Sequence, residues 1–200
     1  MDTRLRILKE VGVMFSKYGL RSVTMDSIAS ELGISKRTLY ETFKDKDDLV
    51  SQAINEGAKA HKEICQAIIS ESENVIEAIF KIGKLNHEFF SKINPVFFED
   101  FKKYHSEIYN RVNQRGDLRD YKLTESLLNR GANEGVFLTG IDLELVNLFL
   151  HKIIDVAHSD EFRQYNSDQM LSAVFLPYLI GISTDKGREL IKKYFNKFNT

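Results

Sequence analysis

The chain is predicted to be all-α. Three observations predict it. Apolar residues recur at helical spacing along most of the chain, no segment shows the strict alternation of a half-buried strand, and the 200 residues include only two prolines and no tryptophan. At 42% hydrophobic content the chain can bury a substantial core in one or two small domains. Two domains are expected, a helix-turn-helix unit at residues 1–48 and a larger helical body at residues 49–200.

The first helix is expected from Thr3 to Tyr18, where Ile7, Val11, Met14 and Tyr18 form one apolar stripe flanked by Leu8 and Phe15. Gly19 can end it. Gly12 interrupts its interior, at a cost of about 1 kcal/mol against alanine, which a close helix crossing would explain. Thr24 suits the N-cap of a second helix, and Asp26 lies in its first turn, where the helix dipole favours a carboxylate. Met25, Ile28, Ala29 and Leu32 form its inward face, and Gly33 stops it. Gly33, Ile34 and Ser35 then make a turn of the length that a helix-turn-helix needs.

A third helix runs from about Lys36 to Phe43, capped by Ser35, with Leu39 and Phe43 facing inward. Arg37, Glu41 and Lys44 fall on the far side, with Thr38 and Tyr40 on the flanks. The second helix of such a motif enters the DNA major groove, and its first residues reach base edges. Lys36 and Arg37 can donate to guanine acceptors, and Thr38 or Thr42 can touch a thymine methyl or a phosphate. Tyr40 and Lys46 suit phosphates, which position the protein without specifying sequence. Asp45 with Asp48 has the spacing of a cap for a fourth helix.

Charge is less telling. The chain carries a net charge of −1, which argues against indiscriminate nucleic-acid binding over the whole surface. Residues 1–50 are balanced at +1, with Lys36, Arg37, Lys44 and Lys46 clustered at the groove face and opposed there by Glu41 and Asp45.

These residues resemble the TetR family of bacterial transcriptional regulators. The resemblance runs through Ile7-Leu8, Phe15, Gly19, Thr24, Ile28-Ala29, Leu32 to Ser35, Thr38-Leu39-Tyr40, Phe43, Lys46 and Leu49. It is strong over about the first fifty residues, and beyond them it extends only to length, helical character and order of elements. It implies a homodimeric, all-helical regulator, usually a repressor, that binds a palindromic double-stranded DNA operator. Its C-terminal domain would bind a small-molecule effector and dimerise, and the effector would act by moving the fourth helix. The DNA-binding set under this resemblance is Thr24, Met25, Asp26, Ser35, Lys36, Arg37, Thr38, Tyr40, Thr42 and Lys46. Two departures stand out. Asp26 lies where some members place a cation, so the second helix would act through its N-terminal amides. Arg37 and Glu41 are bulkier or more charged than residues often found there, so no relative's operator can be transferred to this chain. The other reading is a helical dimeric adaptor that keeps the fold without specific DNA binding.

Beyond Leu49 a long helix is expected to about Ser70, and another from Asn74 through Phe90. Pro95 suits the first turn of a helix carrying Phe97, Phe98, Phe101, Tyr104, Ile108 and Val112. Gly116-Asp117 breaks the chain before a helix from Leu118 to Gly131, and a turn region follows to Gly140. Leu143 to Ala157 is apolar nearly all round, as is Gln169 to Ile182, so each needs cover on two sides, its own core and a partner subunit. Pro177 is expected to kink or shorten the latter. An amphipathic, basic helix from about Thr184 to Phe198 ends the series.

The aromatic residues between Phe89 and Tyr121 invite a pocket for an apolar effector of unknown identity. The candidate ligand-binding residues are Asn86, His87, Phe90, Phe98, Phe101, His105 and Tyr121. The same spacing is also what plain core packing requires. His151 and His158 flank Asp155, yet no metal-binding motif is present, and neither metal nor cofactor is assigned. No phosphate-binding glycine loop or nucleophile elbow occurs, so an enzyme is not expected. The single Cys65 excludes an intramolecular disulfide and fits a reducing compartment. With a charged N-terminus and no apolar run of membrane-spanning length, the expectation is a cytoplasmic protein without membrane association.

Overall fold

The computed structural model describes residues 2–115, 120–157, 159–162 and 164–198. Among them there is no strand, and one isolated antiparallel bridge joins Phe137 to Ser183. No helix among the described residues is long and apolar enough to cross a membrane. The chain packs as two compact units, Met1–Ile64 with Glu88–Leu118, and Cys65–His87 with Arg119–Thr200. This division by packing does not follow the expected boundary at 48/49, because the segment from Glu88 packs with the N-terminal helices.

The first unit contains α1 (Thr3–Tyr18), α2 (Met25–Leu32), α3 (Lys36–Thr42), most of α4 (Lys46–Glu71), the end of α5 (Val75–Phe90), α6 (Pro95–Tyr104) and α7 (Ser106–Arg115). Ile7, Val11, Phe15, Leu20, Ile28, Leu39, Phe43, Leu49 and Val50 are buried together in its core, and Phe101 of α6 joins them. The final carbonyls of α1, which have no partner inside their own helix, are met from the start of α6. The Asn94 main-chain N–H donates to Ser16 O at 2.8 Å and its side-chain amide to Lys17 O at 3.2 Å. Asp100 of α6 accepts from the main-chain N–H of Arg21 at 2.8 Å. The helix expected to run from Pro95 through Val112 is broken at His105 (φ −126°, ψ 41°), whose Nδ1 lies 2.9 Å from Asp47 Oδ1 at the start of α4. Nothing stands within 4 Å of where a Cβ would lie on Gly12, so no close crossing explains that glycine.

The second unit contains the rest of α4 and α5, then α8 (Tyr121–Asn133), α9 (Leu143–Ala157), α10 (Ser167–Met170), α11 (Leu176–Gly181) and α12 (Asp185–Phe198). Gly131, the expected end of this helix, lies within α8, which continues to Asn133, and the Phe137 ring packs against its bare Cα. The expected Gly116-Asp117 break lies outside the described residues, as does His158. Arg130 binds the carbonyls of Ser72, at 2.8 Å, and Ile69, and so ties α8 to the end of α4. Pro177 lies in the first turn of α11, and a π-helical turn at Leu171–Phe175 precedes it. Proline lacks an N–H and its ring clashes with the carbonyl four residues back, and a wider turn relieves both.

In α9 the polarity is the reverse of the usual pattern. Asn147 and His151 are buried, whereas Leu145, Leu148, Phe149 and Val156 are exposed. The buried pair meets Thr124 of α8, whose hydroxyl lies 2.6 Å from Asn147 Oδ1 and 2.8 Å from His151 Nε2. Tyr121 stacks on the His151 ring at 3.8 Å.

Candidate nucleic-acid interface

The site begins with two caps. At the start of α2 the Thr24 hydroxyl accepts from the Ser27 N–H at 3.1 Å, and the Ser27 hydroxyl accepts from the Thr24 N–H at 2.9 Å. This reciprocal arrangement satisfies two otherwise orphaned donors and fixes the direction of α2. Gly33 then takes the left-handed conformation (φ 63°) that ends the helix, and the Ser35 hydroxyl accepts from Thr38 N–H at 3.0 Å to start α3.

Burial of Leu39, with Phe43 as C-cap, sets the rotation of α3. With that face inward, Lys36, Arg37, Tyr40 and Glu41 are exposed, and Thr38 and Thr42 are half-buried on the flanks. Thr42 donates its hydroxyl proton to Thr38 O at 2.9 Å, so it is held within the helix. Lys36 Nζ lies 2.6 Å from Asp26 Oδ1 on α2, and Arg37 Nε lies 2.8 Å from Glu41 Oε1 one turn along.

The structure thus brings Asp26, Lys36, Arg37, Thr38, Tyr40 and Thr42 onto one polar surface of α2 and α3. Met25 is different, because its side chain is buried in the core. What it can offer is its main-chain N–H at the first position of α2, a position with no intrahelical acceptor. Lys46 is half-buried at the start of α4; burial pushes its pKa down, against the opposing pull of Asp100 and Asp47. Its neighbour Asp45 caps α4, accepting from Asp48 N–H at 2.8 Å, as the spacing predicts.

Two contacts had weaker signals in the sequence. The Arg37–Glu41 pair has helical i, i+4 spacing and was open to recognition. The Asp26–Lys36 pair spans the turn and has no periodic signature. Arg4 of α1 also donates to Gln52 Oε1 of α4, from Nε at 3.1 Å, and its guanidinium lies over the Phe43 ring.

The seven candidate ligand residues fall in both units. In the first, Phe90 and Phe98 are exposed and near one another, Phe101 is core, and His105 faces Asp47. In the second are Asn86 and His87 on α5, and Tyr121 in the α8–α9 polar cluster. No group of three or more metal-ligating side chains occurs among the described residues.

Comparison with known proteins agrees with this geometry. The family described as bacterial regulatory proteins, tetR family, matches residues 7–53. The HTH-type transcriptional regulator YvaF of Bacillus subtilis is 32% identical over 105 residues, which cover 52% of this chain and 55% of that protein. YerO of the same organism is 26% identical over 177 residues, covering 86% of this chain and 52% of that protein. The chain thus matches about half the length of these curated relatives. Among solved structures, the fatty acid degradation regulator FadR from Bacillus halodurans superposes with a TM-score of 0.66 at 15% identity, covering 90% of this chain and 96% of that one. The ketosteroid transcriptional regulator KstR2 of Mycobacterium tuberculosis does so with a TM-score of 0.54 at 22% identity, covering 92% and 96%. At such identities these likenesses establish the fold alone. The N-terminal helix-turn-helix, over residues 7–53, is thus that of the TetR family of bacterial transcriptional regulators.

Proposed function

We propose that the chain is a ligand-responsive repressor that binds a palindromic operator as a homodimer. In this reading residues 1–48 are the DNA-reading head and residues 49–200 hold the effector and form the dimer, in the cytoplasm. The observation that carries it is the exposed polar face of α3, with Lys36 and Arg37 at its N-terminal end, where a groove-inserted helix meets base edges. Arg37 donates to guanine, Lys36 assists, and Thr38 and Tyr40 set the register on phosphates.

The homodimer is supported by α9. Leu145, Leu148, Phe149 and Val156 recur at helical spacing on one exposed face, an apolar surface of the kind a second copy covers. An apolar effector is supported by the exposed aromatic rings of Phe90 and Phe98, and by two fold neighbours that are regulators of ketosteroid and of fatty acid degradation. Effector and operator would favour different spacings of the two heads, so each would weaken the other's binding by the same factor.

The test is selection of bound DNA from a random pool by the purified protein at about 150 mM salt, where specific contacts outlast the non-specific electrostatic ones. An enriched palindrome with half-sites about one helical turn or a multiple apart supports the proposal. A folded dimer that enriches nothing refutes it and favours the adaptor.

A further inference from the structure

The two cations best placed to meet DNA are each held by a carboxylate, Lys36 by Asp26 at 2.6 Å and Arg37 by Glu41 at 2.8 Å. All four side chains are exposed. From Thr24 to Asp48 the chain carries four cations (Lys36, Arg37, Lys44, Lys46) against six carboxylates (Asp26, Glu31, Glu41, Asp45, Asp47, Asp48). This segment is therefore net negative, although its target is a polyanion and the head as a whole, residues 1–48, is balanced at +1. Non-specific affinity comes from cations that neutralise phosphates, and the segment that carries α2 and α3 has few to spare.

We infer that Asp26 and Glu41 are specificity-determining residues, which hold Lys36 and Arg37 back from phosphates on non-cognate DNA and release them to base edges on cognate DNA. The inference rests on the proposed DNA-binding role. On an arbitrary duplex, moving Lys36 from Asp26 to a phosphate exchanges one ion pair for another and leaves a bare carboxylate beside the backbone. The exchange gains little, and the same holds for Arg37 and Glu41. On the right sequence both members of the Arg37 pair find new partners. Arg37 donates to guanine O6 and N7, and the freed Glu41 accepts from a cytosine N4 amine, the base-edge contact suited to a carboxylate. Only a site presenting an acceptor edge and an amine edge in register satisfies both. The carboxylates penalise the wrong partner more than they strengthen the right one, which is how specificity arises from repulsion.

The test is fluorescence anisotropy with the full-length wild type, Asp26→Asn and Glu41→Gln, on the selected operator and a scrambled duplex, from about 50 to 200 mM salt. Each variant is expected to bind the scrambled duplex about tenfold tighter, since two heads per dimer each lose one restraining ion pair. The slope of log affinity against log salt steepens by about 1 for each phosphate newly neutralised. The ratio of operator to scrambled affinity falls by a similar factor. Variants that retain the wild-type ratio overturn the inference, as do variants that weaken on both duplexes alike. The two exposed carboxylates are tested separately, and thermal melts identify a variant that has lost its fold. A wild type with no preferred duplex overturns the proposed function as well, so the wild-type measurement alone separates the two failures.

Discussion

Gly12 and Gly131 both lie inside helices, and their surroundings give the same substitution opposite signs. The space around Gly12 is open, with nothing within 4 Å of a Cβ, and its backbone lies outside the positive-φ region. Gly12→Ala is expected to stabilise the protein by about 0.5–1 kcal/mol, chiefly by restricting the unfolded chain. At Gly131 a Cβ would enter the ring of Phe137, which is fully buried and cannot swing aside. Gly131→Ala should therefore cost about 1–3 kcal/mol by overpacking. Urea unfolding of the two variants checks both signs, and a stabilised Gly131→Ala would show that the ring has room. Arg37→Ala belongs to the same scale. It removes the proposed guanine donor from an exposed position, so operator affinity should fall by about 1–3 kcal/mol while the melting temperature stays put. The sequence pointed to Gly33 and Arg37 because turn chemistry and exposure are local. It could not assign Gly131, whose reason is a ring six residues further along the chain.

Elements built on one apolar stripe and a capping residue were legible. α1 and α2 have the bounds their periodicity and caps predict, and the Asp45 cap lies where the spacing put it. Asp45→Ala removes the acceptor for the Asp48 N–H and should lower stability by about 1 kcal/mol, a loss visible in thermal melts and largely restored by Asp45→Ser. Other elements were decided by contacts between helices. The run from Pro95 to Val112 has unbroken helical periodicity, yet it breaks at His105, which faces Asp47 of α4. In α9 an apolar run was read as needing cover on two sides. Its inward face packs Leu143 and Val146 on the core but also buries Asn147 and His151, because Thr124 and the Tyr121 carbonyl supply hydrogen bonds there. Buried polar groups are tolerated where such partners exist, and a partner on another helix leaves no trace in local spacing.

At the scale of the whole molecule, acid stability and assembly follow from different groups. Glu77 is buried, and its carboxylate accepts from the Glu73 N–H at 2.8 Å. That bond, with help from Lys81 and against the effect of burial, holds its pKa below the ordinary value. A depressed carboxylate contributes stability above its unfolded pKa of about 4.3 and loses it as pH falls through the lower folded value. Wild-type stability should therefore fall across that acid window, and Glu77→Gln should flatten this part of the loss in pH-dependent unfolding.

In the proposed homodimer, assembly would rest on the exposed face of α9. A two-fold interface uses the same patch on both copies, so one substitution places two charges near the axis. Phe149→Glu is therefore expected to convert a dimer into a folded monomer, since the side chain is 56% exposed and gives up a tilted ring contact with Tyr178 at 6.0 Å, not a buried position. Light scattering reads the mass, and anisotropy on the selected palindrome reads the consequence. Two linked heads present the second half-site at about millimolar effective concentration, so separating them should cost about 10²- to 10⁴-fold in operator affinity. A variant that remains dimeric with unchanged operator affinity would place the interface elsewhere on the chain. A monomer with unchanged affinity would mean that one head suffices, and the palindromic reading would fall while DNA binding itself stood.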